Sequence, residues 1–292
     1  MNKKVSVESW IVYLLLALMW GSSFILMHRG LHSFSFDQVA AFRVMIAGIV
    51  LCPIALWRLK GFKKNKILPA LIYASLGSAI PAFLFPLGQT HLPSGVAGIL
   101  NSLTPIFVLL TGILFFRATY TKQKALGIFI GFAGILCLKL LGENKTDNSI
   151  DYNYAWFLVL ATFFYGLSNQ ILSRYLHSEN PITITATAFL MLLPFASVYL
   201  FSTPVFEVFK TKPDAWIDFA SIATLSIFGT AIALPLYNWL AQKTGVLFAS
   251  TLTFVMPIVS LAWGMIDGEA LGIQHIASML IILTGVYLVR KK

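Results

Sequence analysis

Long apolar stretches alternate with short polar breaks along the whole chain. The apolar stretches fall at 10–28, 38–57, 67–88, 94–116, 122–141, 154–173, 182–201, 216–240, 248–266 and 273–289. Each is about 20 residues long, the length at which a helix crosses the hydrocarbon of a bilayer. Lipid offers no hydrogen bonds, so each segment must satisfy its own backbone groups, and these stretches predict helices rather than loops. The pattern predicts an all-α membrane protein with ten transmembrane helices. The third stretch is irregular: Pro69, Gly77, Pro81, Pro86 and Gly88 predict kinks there.

The order of residues also repeats. A shift of 145 lays Trp20-Gly21 on Tyr165-Gly166, Ser23 on Ser168 and Arg29 on Arg174, and Leu31-His32-Ser33 recurs as Leu176-His177-Ser178. Later in each half the shift becomes 152: Ala97, Leu100, Pro105, Ile106, Leu109 and Gly112 match Ala249, Leu252, Pro257, Ile258, Leu261 and Gly264. Five helices per half is an odd number, so the second half enters from the opposite face. The expected organisation is therefore two inverted five-helix repeats around a central cavity, at 1–141 and 154–292, joined by an outer connector at 142–153. That connector is polar, Gly142 to Asn153.

Composition agrees with a bilayer. The chain is 58% hydrophobic and 11% charged, with mean hydropathy +0.81, whereas a soluble domain carries roughly 25% charged residues. The net charge of +10 could suggest nucleic acid, but its layout argues for topology instead. With both termini in the cytoplasm, the inner loops hold most of the Lys and Arg, including the run Lys60 to Lys66. The outer ones hold only Arg29, Lys139, Lys145, Lys210 and Lys212. That is the positive-inside bias of an integral protein, expected here in a bacterial cytoplasmic membrane. No nucleic-acid partner is implied; membrane lipid is. Cys52 and Cys137 lie in separate helices, and no motif calls for a metal or cofactor. Nothing in the pattern specifies an oligomeric state.

Several segments resemble the EamA family of the drug/metabolite transporter superfamily. They are Trp20-Gly21-Ser22-Ser23-Phe24, Phe42-Arg43, Ser102 to Phe107 with its counterpart Phe254 to Val259, and Gly268-Glu269 ahead of a last helix with Gly285-Val286-Tyr287-Leu288. The resemblance runs over essentially the whole chain. It implies five plus five inverted helices around a cavity and export of amino acids or other metabolites. One departure is visible. Glu269 follows the ninth helix, but Arg117 and Ala118 stand at the matching place after the fourth, so no symmetric carboxylate pair is implied.

No Asp or Glu lies well inside any predicted helix, which argues against a buried carboxylate switch. The simplest expectation is alternating access driven by the substrate's own gradient, with His28, His91 and His275 water-exposed near helix ends. Candidate substrate contacts are polar, neutral and aromatic: Trp20 and Ser23 on the first helix, Asn101 on the fourth, Tyr165 and Asn169 on the sixth, and Thr253 on the ninth. Gln89 at the end of the third and Tyr237 on the eighth join them. An amphipathic metabolite needs such hydrogen-bonding groups and aromatic faces; the competing reading for each is packing glue between helices. Arg43 is the basic residue inside a span, suited either to snorkelling or to attracting a carboxylate. Gly127 and Gly131 in the fifth helix suggest an intramolecular packing seam.

The expected function is a membrane exporter of small metabolites such as amino acids, and not an enzyme. A lipid flippase or channel is the alternative. A multi-pass enzyme is more remote: His32-x4-Asp37 spells an acyltransferase-like string, but nothing catalytic surrounds it.

Overall fold

The computed structural model describes residues 6–58, 61–118, 121–142, 150–269 and 272–290, and every regular element among them is helical. We label the main helical segments α1 Val7–Ser33, α2 Phe36–Arg58, α3 Lys64–Gln89, α4 Ser94–Phe116, α5 Lys122–Gly142, α6 Tyr152–Leu176, α7 Pro181–Ser202, α8 Ala215–Thr244, α9 Val246–Ile266 and α10 Ile273–Arg290. Eight of these, all but α5 and α10, are 21 to 30 residues long and apolar enough to cross a membrane. The expected connector at 142–153 falls largely outside the described residues. A short helix that the hydropathy pattern did not suggest, Val205–Thr211, lies between α7 and α8.

Local chemistry starts the segments. Ser6 caps α1 through Ser9 N, and Asn180 Oδ1 accepts from Ile182 N and Thr183 N, both at 3.1 Å, ahead of Pro181 in the first turn of α7.

Four segments are interrupted four residues before a proline, and α6 ends in a further π-helical stretch, Leu172–Leu176. Proline has no N–H for the i−4 carbonyl, and its ring crowds that carbonyl. Pro81 faces Gly77 inside the π-helical stretch Ser75–Ala79 of α3. Pro235 faces Ala231 inside the π-helical stretch Ile227–Ile232 of α8. In α4 the helix breaks after Asn101, four before Pro105; in α9 the 3-10 stretch Thr251–Phe254 contains Thr253, four before Pro257. The freed carbonyls find new donors. Thr104 Oγ1 bonds Asn101 O at 2.8 Å, and Ser102 Oγ bonds Thr253 O at 2.9 Å across the molecule. The kink expected in the third stretch is thus one of four.

The most extensive helix packings join segments far apart in the chain. α1 packs on α8 and α9, α6 on α3 and α4, α2 on α7, and α5 on α10. Glycines set the closest approaches. A Cβ on Gly21 would meet Val259 Cβ at 2.6 Å; one on Gly166 would meet Phe107 O at 2.6 Å. A Cβ on Gly229 would meet Ser23 Oγ at 2.7 Å, and one on Gly77 would strike Ser168 Oγ. On the α5–α10 seam a Cβ on Gly285 would meet Gly131 N at 2.5 Å and Gly127 O at 2.6 Å. The Gly127–Gly131 face therefore packs within the chain.

Candidate substrate cavity

The four interruptions surround a cavity of about 80 Å³ lined by α1, α2, α3, α4, α6, α8 and α9. Local unwinding exposes backbone and turns side chains inward at the middle of the bundle, where continuous helices would present only packed faces. Aromatic rings make its walls. Trp20 tilts against Tyr237 at 5.2 Å between centroids, and Tyr165 stacks on Phe85 at 5.8 Å.

Eight of the nine candidate residues line this cavity: Trp20, Ser23, Arg43, Asn101, Tyr165, Asn169, Tyr237 and Thr253. Most have their polar atoms engaged. Trp20 Nε1 donates to Gly229 O at 2.7 Å, Ser23 Oγ to Met19 O at 2.8 Å, and Thr253 Oγ1 to Ser250 O at 2.9 Å. Asn169 Nδ2 donates to Tyr165 O at 2.8 Å while its Oδ1 accepts from the Tyr237 hydroxyl. Asn101 Nδ2 reaches only the sulfur of Met256, at 3.5 Å.

Gln89 is placed elsewhere. It is buried, and its Nε2 donates to Phe24 O at 3.0 Å, away from the lining. Tyr73 is a lining residue that sequence reasoning missed. Its hydroxyl donates to Asn238 Oδ1 at 2.6 Å, and Asn238 Nδ2 continues to Thr185 Oγ1 at 3.0 Å. Its position four residues before Gly77, on the same face of α3, is the signal that could have found it.

Arg43 sets the electrostatics. It is 9% exposed, so it does not snorkel to an interface, and its Nε donates to Thr230 Oγ1 at 3.1 Å. No Asp or Glu is among the described lining residues. Neither terminal guanidinium nitrogen nor the nearby Tyr165 hydroxyl makes a hydrogen bond among the described residues. A buried cation without an anion is costly, so this corner has spare donors aimed at negative charge.

One expectation about the histidines is corrected. His275 is 1% exposed, because the chain beyond Ile150 folds over it: Tyr152 Oη lies 2.8 Å from His275 Nε2, and Asp151 N donates to His91 O at 3.2 Å. His91 itself is half-buried and stacks on Tyr154 at 3.8 Å.

A bundle of long apolar helices broken around a largely aromatic and apolar cavity that holds a few polar groups is the architecture of an integral membrane transporter. This chain belongs to the EamA-like transporter family, whose sequence profile matches residues 8–140 and 153–291. It is 27% identical to an uncharacterized transporter of Archaeoglobus fulgidus over 98% of this chain and 99% of that one. It is also 27% identical to the uncharacterized inner membrane transporter YedA of Escherichia coli strain K12, over 88% of this chain and 82% of YedA. The S-adenosylmethionine/S-adenosylhomocysteine transporter of Chlamydia muridarum is 22% identical over 88% and 84% of the two chains. A crystal structure of another protein shares the fold, with a TM-score of 0.64 at 15% identity over 98% of this chain and 97% of its own.

Proposed function

We propose that the protein exports an amphipathic metabolite bearing a carboxylate, of the amino-acid type, across the bacterial cytoplasmic membrane by alternating access. In this reading α5 and α10 also cross, giving ten spans with both termini cytoplasmic. Residues 1–141 and 154–292 are then inverted halves joined outside by 142–153. The observation that carries it is the matched exchange of contacts about the cavity. Ser23 approaches Gly229 as Ser168 approaches Gly77, and Gly21 approaches Val259 as Gly166 approaches Phe107. Shifts of 145 and 152 relate every member of these pairs, and the π-helical stretches of α3 and α8 begin at Ser75 and Ile227, again 152 apart, while a third at the end of α6, Leu172–Leu176, has no such counterpart in α1. Two separately matched segments of the family profile support the same division.

Arg43 supports the substrate class. A guanidinium with both terminal nitrogens unengaged fits a carboxylate in a bidentate pair, and the aromatic walls fit an apolar or aromatic remainder. S-adenosylmethionine, carried by the Chlamydia muridarum relative, is itself an α-amino acid with an aromatic base. In mechanism, Arg43 and Tyr165 would hold the carboxylate while Trp20, Phe85 and Tyr237 cover the rest. The two halves then rock about the site, exposing it to one side at a time.

The test is counterflow in proteoliposomes preloaded with unlabelled L-phenylalanine or S-adenosylmethionine. Transient accumulation of the matching radiolabelled compound is expected. No accumulation of any α-amino carboxylate by folded protein would overturn the substrate class.

A further inference from the structure

The cavity repeats its rings but not its charge. The shift of 145 relates Trp20 to Tyr165, and the shift of 152 relates Phe85 to Tyr237, so the ring pairs Trp20–Tyr237 and Tyr165–Phe85 answer one another. Helices α2 and α7 begin at Phe36 and Pro181, also 145 apart, and that shift carries Arg43 to Ala188. The shift of 152 carries Thr230, which accepts from Arg43 Nε at 3.1 Å, to Ser78. The lining therefore calls for one anion, not a related pair.

The guanidinium has no carboxylate to answer it. Tyr165 is the ionisable group within its electrostatic reach, and no Asp or Glu among the described residues is. Acids at the end of the bundle where α2 begins are engaged elsewhere. Asp37, on the same helix, accepts from the Tyr199 hydroxyl at 3.1 Å, and Asp218 accepts from Ser33 Oγ at 2.5 Å. Asp267 pairs with Arg29 at 2.6 Å, and Glu269 accepts from Ser94 N at 2.7 Å. The counter-charge for Arg43 must come from solution.

What Arg43 and Tyr165 offer is a corner of donors on the cavity wall, N–H groups from α2 and an O–H from α6. Both groups bind anions, and a guanidinium is hydrated weakly enough to trade its water for a halide. Leaving such a charge buried and unpaired is costly. Size permits the ion. Roughly 10–15 Å³ of such space holds one water, so a cavity of about 80 Å³ admits chloride, little larger than water, with water beside it.

We propose that Arg43 and the Tyr165 hydroxyl form a single halide site, which chloride fills whenever no carboxylate substrate is bound. Chloride and substrate then compete for one corner, and the buried cation stays paired when the cavity holds no substrate. The competition rests on the carboxylate reading in the proposed function; the halide site itself does not.

The test is thermal unfolding of the full-length protein in detergent, without substrate, as sodium chloride replaces sodium MES, the salt of a bulky organic anion. Ionic strength stays constant at about 0.15 M. The wild-type melting temperature is expected to rise by about 2–4 °C and to saturate, as ligand binding to the folded state requires. Arg43→Met should show no saturable rise. Tyr165→Phe, which loses one neutral hydrogen bond, should need about two- to tenfold more chloride for half the rise. A flat wild-type response overturns the site, as does a wild-type rise in Arg43→Met or an unchanged midpoint in Tyr165→Phe. If Arg43→Met does not fold, as judged by gel filtration, the midpoint of Tyr165→Phe decides. A carboxylate ligand that stabilises the protein without reducing the chloride rise overturns the shared corner. Failure of the proposed function reads differently: the chloride rise persists while no α-amino carboxylate shows counterflow.

Discussion

Arg43 Nε lies 3.1 Å from Thr230 Oγ1, so a buried cation on α2 is held by a neutral oxygen on α8. That bond positions the guanidinium without neutralising it, and it joins two helices that border the cavity from different parts of the chain. Arg43→Met should remove stabilisation of the detergent-solubilised protein by L-phenylalanine or S-adenosylmethionine. The expected loss is about tenfold to a hundredfold in affinity, from roughly 1.5–3 kcal/mol for hydrogen bonds to a charged group. Arg43→Lys should recover only part of it, since an ammonium lacks the planar fork. The carboxamide of either ligand should bind wild type no better than it binds Arg43→Met. Thermal shifts over a ligand titration measure all three.

The close approach of Ser23 to Gly229 makes a second prediction. Gly229→Ala places a methyl 2.7 Å from Ser23 Oγ and should lower the melting temperature in detergent. Ser23→Ala removes the clashing atom, and the double variant should recover most of the loss. A double-mutant cycle should return a coupling of about 1 kcal/mol. Purely additive effects would mean the two helices do not meet as described.

Much of this arrangement was legible in the order of residues, for physical reasons. Lipid forces long apolar runs into helices, so the pattern carries them plainly. Trp20 and Tyr165, related by the 145 shift, do border one cavity. The interruptions were harder to read. A proline inside an apolar run marks a lost hydrogen bond, but whether the backbone answers with a π or a 3-10 turn depends on what packs beside it. Ser102 reaching Thr253 O is such a neighbour, 151 residues away in sequence. A helix-end amide serves a ligand or a neighbouring carbonyl equally well, and Gln89 donates to the Phe24 carbonyl. His275 near a helix end reads as water-exposed, and only the tertiary fold shows that Tyr152 covers it.

The α5–α10 seam should fail at Gly285. A valine there would bring its side chain onto the backbone of Gly131 and Gly127, about 2.5 Å from the nearest atom, and overpacking of this kind costs about 1–3 kcal/mol or more. Since no described residue of either helix lines the cavity, Gly285→Val should melt earlier while the protein that remains folded binds ligand normally. Thermal unfolding and a binding titration on the same preparation separate the two effects.

The sidedness has its own check. In a cysteine-free background, Lys64→Cys and Asn144→Cys should label from opposite faces of the membrane with an impermeant maleimide. Equal labelling of both from outside would remove the inverted arrangement.

The central claim is that one site between the two halves is reached from either side in turn. Thr253→Cys, at a position that is 4% exposed and on the cavity wall, places a single thiol at that site. It should react with an impermeant maleimide in right-side-out vesicles and also in everted ones, and a saturating transported ligand should slow both reactions. Reaction from one face only, with the ligand without effect, would contradict alternating access through this cavity.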